Sequence, residues 1–158
     1  MNKRITWNEY FMLIAQVCAL RSADTNTKVG ACIVDTDNKI IGTGYNGMPS
    51  FEYNDDVLPW SNEADSWLAT KYPYVVHAEM NAILNSTKSS LKGCVLYVTH
   101  YPCCDCAKAI IQCGIKSVYY IEDKHPEQDI FKAARILLEK ANIECIKMNY
   151  TYNIKEIK

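Results

Sequence analysis

From residue 77 onward the chain alternates between helical and extended patterns, and this alternation limits the fold more than any other feature. Residues 77–87 (HAEMNAILNST) read as a helix, 94–99 (CVLYVT) as a strand, 104–113 as a helix and 117–121 (SVYYI) as a strand. A helix over 127–141 and a strand over 143–148 (IECIKM) complete the series. Within 127–141, Ala134, Leu137, Leu138 and Ala141 recur at helical spacing and give that segment one apolar face. Strands joined by helices of this length pair in parallel, because the crossover needs a dozen or more residues. The expected fold class is therefore α/β, with helices layered on a sheet.

The first half adds an antiparallel edge. Residues 6–21 predict a helix in which Thr6 and Glu9 form a capping box and Phe11, Ile14, Ala15 and Cys18 make an apolar stripe. Two apolar, β-branched runs follow at 28–35 (KVGACIVD) and 39–46 (KIIGTGYN), with Asp35-Thr36-Asp37-Asn38 as the hairpin turn between them. Residues 47–76 interrupt the pattern with Pro49, Pro59, Pro73 and several acids and aromatics. A connection of that length is usually functional or carries short helices, and a helical turn or two is expected over 62–71. The tail, 149–158, reads as a short helix or a frayed end. A length of 158 residues is that of a single domain with its own core.

With a net charge of −1, no basic excess points to a nucleic-acid backbone, which rewards clustered Lys and Arg, while a small anionic ligand needs only a few cations. Asn8, Glu9, Gln16 and Arg21 break up the early apolar run, so nothing approaches the ~20 apolar residues of a membrane span. With no secretion signal to read, a cytoplasmic location is the expectation. That makes the eight cysteines thiols or metal ligands before disulfides. Cys18, Cys32, Cys94 and Cys145 sit among apolar neighbours and read as small buried side chains, and Cys113 as core.

Two short motifs carry chemistry. Cys103 and Cys106 form a Cys-x-x-Cys pair behind Pro102, at the start of the 104–113 helix. A helix N-terminus favours thiolate, the form that ligates metal. His77 stands at the start of another helix and can supply an imidazole. Zinc accepts this donor set, and three protein ligands leave the fourth tetrahedral position open, as in catalytic rather than structural sites. Glu79, two residues after His77, can face the same site without ligating. His-x-Glu together with Pro-Cys-x-x-Cys is the pattern of zinc nucleobase deaminases, in which the glutamate moves protons. Cys104 is expected to be a bystander, and His100, just before Tyr-Pro-Cys, to lie near the rim of the site.

Beyond this motif, three longer stretches resemble the deoxycytidylate (dCMP) deaminases: residues 21–49 (ending in GYNGMP), 71–85 (KYPYVVHAEMNAILN) and 101–120 (YPCCDCAKAIIQCGIKSVYY). Residues 133–144 agree as well, so the resemblance covers roughly 5–148. It implies the three-layer α/β/α cytidine-deaminase-like fold with a mixed five-stranded sheet. It also implies hydrolysis of dCMP to dUMP and ammonia, supplying dUMP for thymidylate synthesis, with one catalytic Zn²⁺ per subunit. By the same resemblance Asn46 contacts the sugar, Ala78 and Tyr101 contribute to substrate binding, and Arg21, Lys28 and Lys124 are the candidate phosphate cations. Gly44 and Gly47 read as backbone room beside the ligand. The resemblance further implies a homo-oligomer, hexameric in many members, activated by dCTP held with Mg²⁺ between subunits and inhibited by dTTP.

Overall fold

The computed structural model describes residues 4–50 and 57–149, and the elements follow the expected alternation. In chain order they are α1 (Trp7–Leu20), β1 (Gly30–Val34), β2 (Ile40–Tyr45), a short 3₁₀ turn (Trp67–Ala69), α2 (Ala78–Leu84), β3 (Val95–His100), α3 (Cys104–Gln112), β4 (Ser117–Glu122), α4 (Asp129–Lys140) and β5 (Glu144–Lys147). The capping box forms: the Thr6 hydroxyl accepts from Glu9 N, and the Glu9 carboxylate accepts from Thr6 N. All four helices are shorter than expected, α2 and α4 the most. Asn85 caps α2 at its C-terminus, so the 85–87 stretch is turn rather than helix, and α4 begins only after Gln128. The expectation for the tail lies, from residue 150 on, outside the described residues.

One mixed sheet runs in the order β2-β1-β3-β4-β5. The β1–β2 and β1–β3 pairs are antiparallel, and the β3–β4 and β4–β5 pairs are parallel, as crossover helices α3 and α4 require. The hairpin turn is built on Asp35. Its carboxylate accepts from the backbone N–H of Asp37 and Lys39, and Asn38 takes the left-handed conformation at φ 60°. Asparagine tolerates that region better than most residues.

Every residue of β1 is buried, because layers cover both faces of the sheet. Side chains of a strand alternate between faces. Ala31 and Ile33 accordingly face α2, α3 and α4, packing with Ala82, Ile110 and Leu138, while Cys32 and Val34 face α1 and pack with Phe11, Met12 and Ala15. Fully burying an Ile or Leu of this core contributes about 2 kcal/mol. Of the cysteines read as buried, Cys32 and Cys94 are so, while Cys18 and Cys145 are half-buried. All eight are free thiols, and burial raises the pKa of these four, that of Cys32 to about 12.

Glycines set how closely α2 lies on the sheet. A Cβ on Gly42 would collide with Ala82 O, and one on Gly44 with Ala78 O and Ala82 N. The space beside Gly44 is therefore taken by α2 and not by a ligand, because Gly42 and Gly44 share the face of β2 on which that helix packs. Gly47 instead forms an antiparallel bridge with Val76, which clamps the two ends of the long 47–76 connection together. That bridge and a hydrogen bond from Asn81 Nδ2 to Tyr45 O (2.8 Å) hold the start of α2 against the end of β2.

Candidate active site

Two helix starts converge at one end of the sheet. His77 is the N-cap of α2 and Cys103 the N-cap of α3, both with extended backbone, and neither side chain makes the usual capping hydrogen bond. Both side chains are thus spared from capping. Cys106 follows one turn into α3. The ligand atoms of His77, Cys103 and Cys106 lie within 4.8 Å of one another. His77 Nδ1 is 3.4 Å from Cys103 Sγ and 3.5 Å from Cys106 Sγ. One imidazole nitrogen and two sulfurs so grouped fit zinc in both type and number.

The electrostatics of the group follow from its closeness. Hydrogen bonding from Cys106, and then from His77, pulls the Cys103 thiol well below its ordinary pKa despite burial. His77 is pushed up, first by its hydrogen bond to Cys103 and against the pull of burial. Cys106 is pushed up by its hydrogen bond to Cys103 and by burial. Glu79, in the first turn of α2, is 4% exposed, and burial raises its carboxyl above the usual range.

A cavity of about 340 Å³ opens beside these groups and is lined by His77, Ala78, Glu79 and Cys103 among others. The expected site residues Asn46, Tyr101 and Lys124 also line it. Arg21 and Lys28 do not. Both are exposed, Arg21 at the C-cap of α1 and Lys28 just before β1. Of the three expected phosphate cations, only Lys124 is brought to the cavity. Cys104 is half-buried at the first position of α3 and outside the metal-ligating group, as its bystander reading requires.

The Asn46 amide is already engaged. Its Oδ1 accepts from Val29 N (2.7 Å), and its Nδ2 donates to Thr27 O (2.9 Å) and Asp24 Oδ2 (3.2 Å). Tyr101 is likewise held, packing edge-to-face on Tyr120 with its hydroxyl 3.7 Å from Cys145 Sγ. A second lone pair on Asn46 Oδ1 remains for a ligand.

Among the residues of this wall that sequence reasoning missed are an ion pair and a further carboxylate. Lys71 and Asp24 are both buried and both line the cavity, paired at 2.5 Å. Asp123 lines it too, bound from outside by Arg135 of α4. One local signal was available for Lys71: it opens the KYPYVV run that leads into His77. Its burial was not readable, since lysines are seldom buried unless paired. His100, expected near the rim, lines the cavity as well. Thr99 Oγ1 lies 3.1 Å from its Nδ1.

Comparison with known proteins agrees with this geometry. Residues 5–122 match the family described as the cytidine and deoxycytidylate deaminase zinc-binding region. A deoxycytidylate deaminase of Homo sapiens is 52% identical over 139 residues, covering 88% of this chain and 78% of that protein. One of Mus musculus is 49% identical over 149 residues, covering 94% and 83%. The crystal structure of the dCMP deaminase of cyanophage S-TIM5 in complex with dCMP and dUMP superposes with a TM-score of 0.73 at 32% identity, covering 93% of this chain and all of that one. A matched family region running over residues 5–122, with the His77, Cys103 and Cys106 group inside it, places this chain in the cytidine and deoxycytidylate deaminase family.

Proposed function

We propose that this chain hydrolyses dCMP to dUMP and ammonia. The observation that carries the reading is Glu79, a buried carboxyl beside a three-donor zinc group, with both groups opening on a cavity large enough for part of a nucleotide. His77, Cys103 and Cys106 would hold the metal. Zinc, when bound, supplies a Lewis acid that makes a coordinated water nucleophilic near neutral pH. Over the whole reaction the C4–N bond of cytosine is exchanged for C4=O, with one water consumed.

Glu79 moves the protons. Burial raises its carboxyl toward the pH range in which a group both takes and gives a proton efficiently. In the reaction it delivers one proton to ring N3 and one to the departing amine. Asn46, Ala78 and Tyr101 form wall that orients the nucleoside. Lys124 is the cation toward which the 5′-phosphate is drawn, in place of Arg21 and Lys28. Supply of dUMP for thymidylate synthesis, activation by dCTP with Mg²⁺, inhibition by dTTP and assembly into a hexamer extend the reading on the strength of the resemblance.

The test is a substrate panel with Glu79→Gln. Wild type should turn over dCMP in preference to deoxycytidine. Glu79→Gln should keep its zinc and its fold while losing about 10²–10⁴-fold in kcat. An unchanged rate removes Glu79 from proton transfer, and equal turnover of deoxycytidine removes phosphate recognition. Adding dCTP or dTTP to the wild-type assay tests regulation.

A further inference from the structure

Among the described residues, three carboxylates line the cavity: Asp24, Glu79 and Asp123. Glu79 belongs to the metal end. Asp24 is matched inside the wall by Lys71. Asp123 has no such partner among the described residues of the lining, and its charge is met by Arg135, which does not itself line the cavity.

Arg135 is well placed for this task. Its Nη2 donates to Asp123 Oδ2, and its guanidinium lies 4.5 Å from the Tyr101 ring centroid. One cation on α4 thus grips two residues of the cavity wall, from β4's C-terminal end and from the turn leading into Cys103. The ion pair is one-sided. Asp123 Oδ1 and Arg135 Nη1 are both shielded from solvent and have no hydrogen-bond partner among the described residues. The Asp123 side chain lines the cavity and is 17% exposed, so water screens its charge only partly.

We propose that Arg135 is a positioning and charge-setting residue for nucleotide selection: by neutralising Asp123 from behind the wall, it lets the cavity accept a doubly charged phosphate ester. The inference rests on the reading of the substrate as a nucleoside monophosphate. Without Arg135, the Asp123 carboxylate faces a phosphate carrying nearly two negative charges at neutral pH. Like charges brought together in a partly desolvated site oppose binding, and a neutral nucleoside would not feel this.

The experiment measures the Kd of dUMP, which needs no turnover, together with KM and kcat for dCMP. Arg135→Ala should weaken dUMP and raise the KM for dCMP by roughly tenfold, with kcat and zinc content little changed. Asp123→Asn in the Arg135→Ala background should recover most of the affinity. A merely structural role predicts no recovery, since the double variant removes still more of the contact. Should Arg135→Ala not fold, Arg135→Lys and Arg135→Gln replace it: the charged variant should bind dUMP nearly as wild type and the neutral one weakly. Unchanged dUMP affinity, equal affinities for the Lys and Gln variants, or no recovery in the double variant overturns the proposal. Wild type that binds dUMP but fails to deaminate dCMP overturns the reading of the reaction instead, while the variant series still decides on Arg135. Wild type that does not bind dUMP overturns both.

Discussion

Lys71 Nζ lies 2.5 Å from Asp24 Oδ2, a pair 47 residues apart in sequence and almost wholly removed from solvent. Burial alone would raise the Asp24 carboxyl, but the hydrogen bond from Lys71 and those from the N–H groups of Thr27 and Asn26 hold it below the usual range. Asp24 also takes a hydrogen bond from Asn46. The pair therefore ties the connection before α2 to the loop before β1 and to the end of β2.

Removing one partner is expected to cost more than removing both. Lys71→Met strands a buried carboxylate, for which about 3 kcal/mol of stability is the expected loss. Asp24→Asn with Lys71→Met restores part of it, because the stranded charge is gone. Urea unfolding of the single and double variants at pH 7 measures the difference. Equal stabilities for Lys71→Met and the double variant would show that the Asp24 charge is not the cause.

A second ion pair gives a pH signature. Lys88 Nζ lies 2.6 Å from Asp35 Oδ2, and the Lys88 hydrogen bond, with those from the turn N–H groups, lowers the Asp35 carboxyl to about 2. An ordinary aspartate titrates near ~3.9. The folded state is thus the weaker proton binder, and the contribution of Asp35 is complete above about pH 4 and lost as pH falls toward about 2. Asp35→Asn removes this part of the acid dependence. Thermal midpoints of the two proteins should differ most above pH 4 and converge below it. A difference that stays constant across the window rules the pair out as its source.

The packing of α2 makes a prediction that links core to chemistry. Gly44→Ala puts a methyl group into the Ala78 carbonyl and the Ala82 amide, so α2 must lift from β2. Overpacking of this kind costs about 1–3 kcal/mol. The displaced helix carries His77 at its cap and Glu79 in its first turn, so zinc retention and turnover should fall together. Gly47→Ala is the control. Its methyl would meet only the Tyr45 ring, at 3.3 Å, and its backbone needs no positive φ. Bound zinc per chain, measured after gel filtration, should fall in the first variant and hold in the second.

Local patterns disclosed the site's ligands better than its walls. His77, Cys103 and Cys106 were legible because each motif sits at a helix start, where spacing along the chain translates directly into direction in space. The strands were legible for a similar reason, their apolar runs being bounded by turn residues such as Asp35 and Asn38. Charge pairing was not. Whether Lys28 or Lys71 enters the cavity depends on which segment folds back over it, and both look alike in sequence. The Arg135–Asp123 contact joins α4 to the end of β4, and helical periodicity marks Arg135 only as lying off the apolar stripe. Gly44 misled because a glycine in a strand signals close approach without naming what approaches.

Metal loading provides the last test, and its sign follows from the three donors. With zinc stripped by a chelator, His77 has a pKa raised chiefly by its hydrogen bond to Cys103, so it holds a proton at neutral pH. Cys106 also keeps its proton, its thiol raised by the Cys103 hydrogen bond and by burial, while the same contacts favour the thiolate of Cys103. Zinc takes only the neutral imidazole and the thiolates, so its binding must expel protons from His77 and Cys106. Apparent zinc affinity should therefore rise with pH through the neutral range. Calorimetric titrations in two buffers of different ionisation enthalpy should report about two protons released per zinc. Cys106→Ser should lower affinity and reduce that release, because the serine hydroxyl does not ionise in its place. Affinity that is flat with pH, with no buffer dependence of the heat, would mean that the three donors are not protonated as their contacts imply.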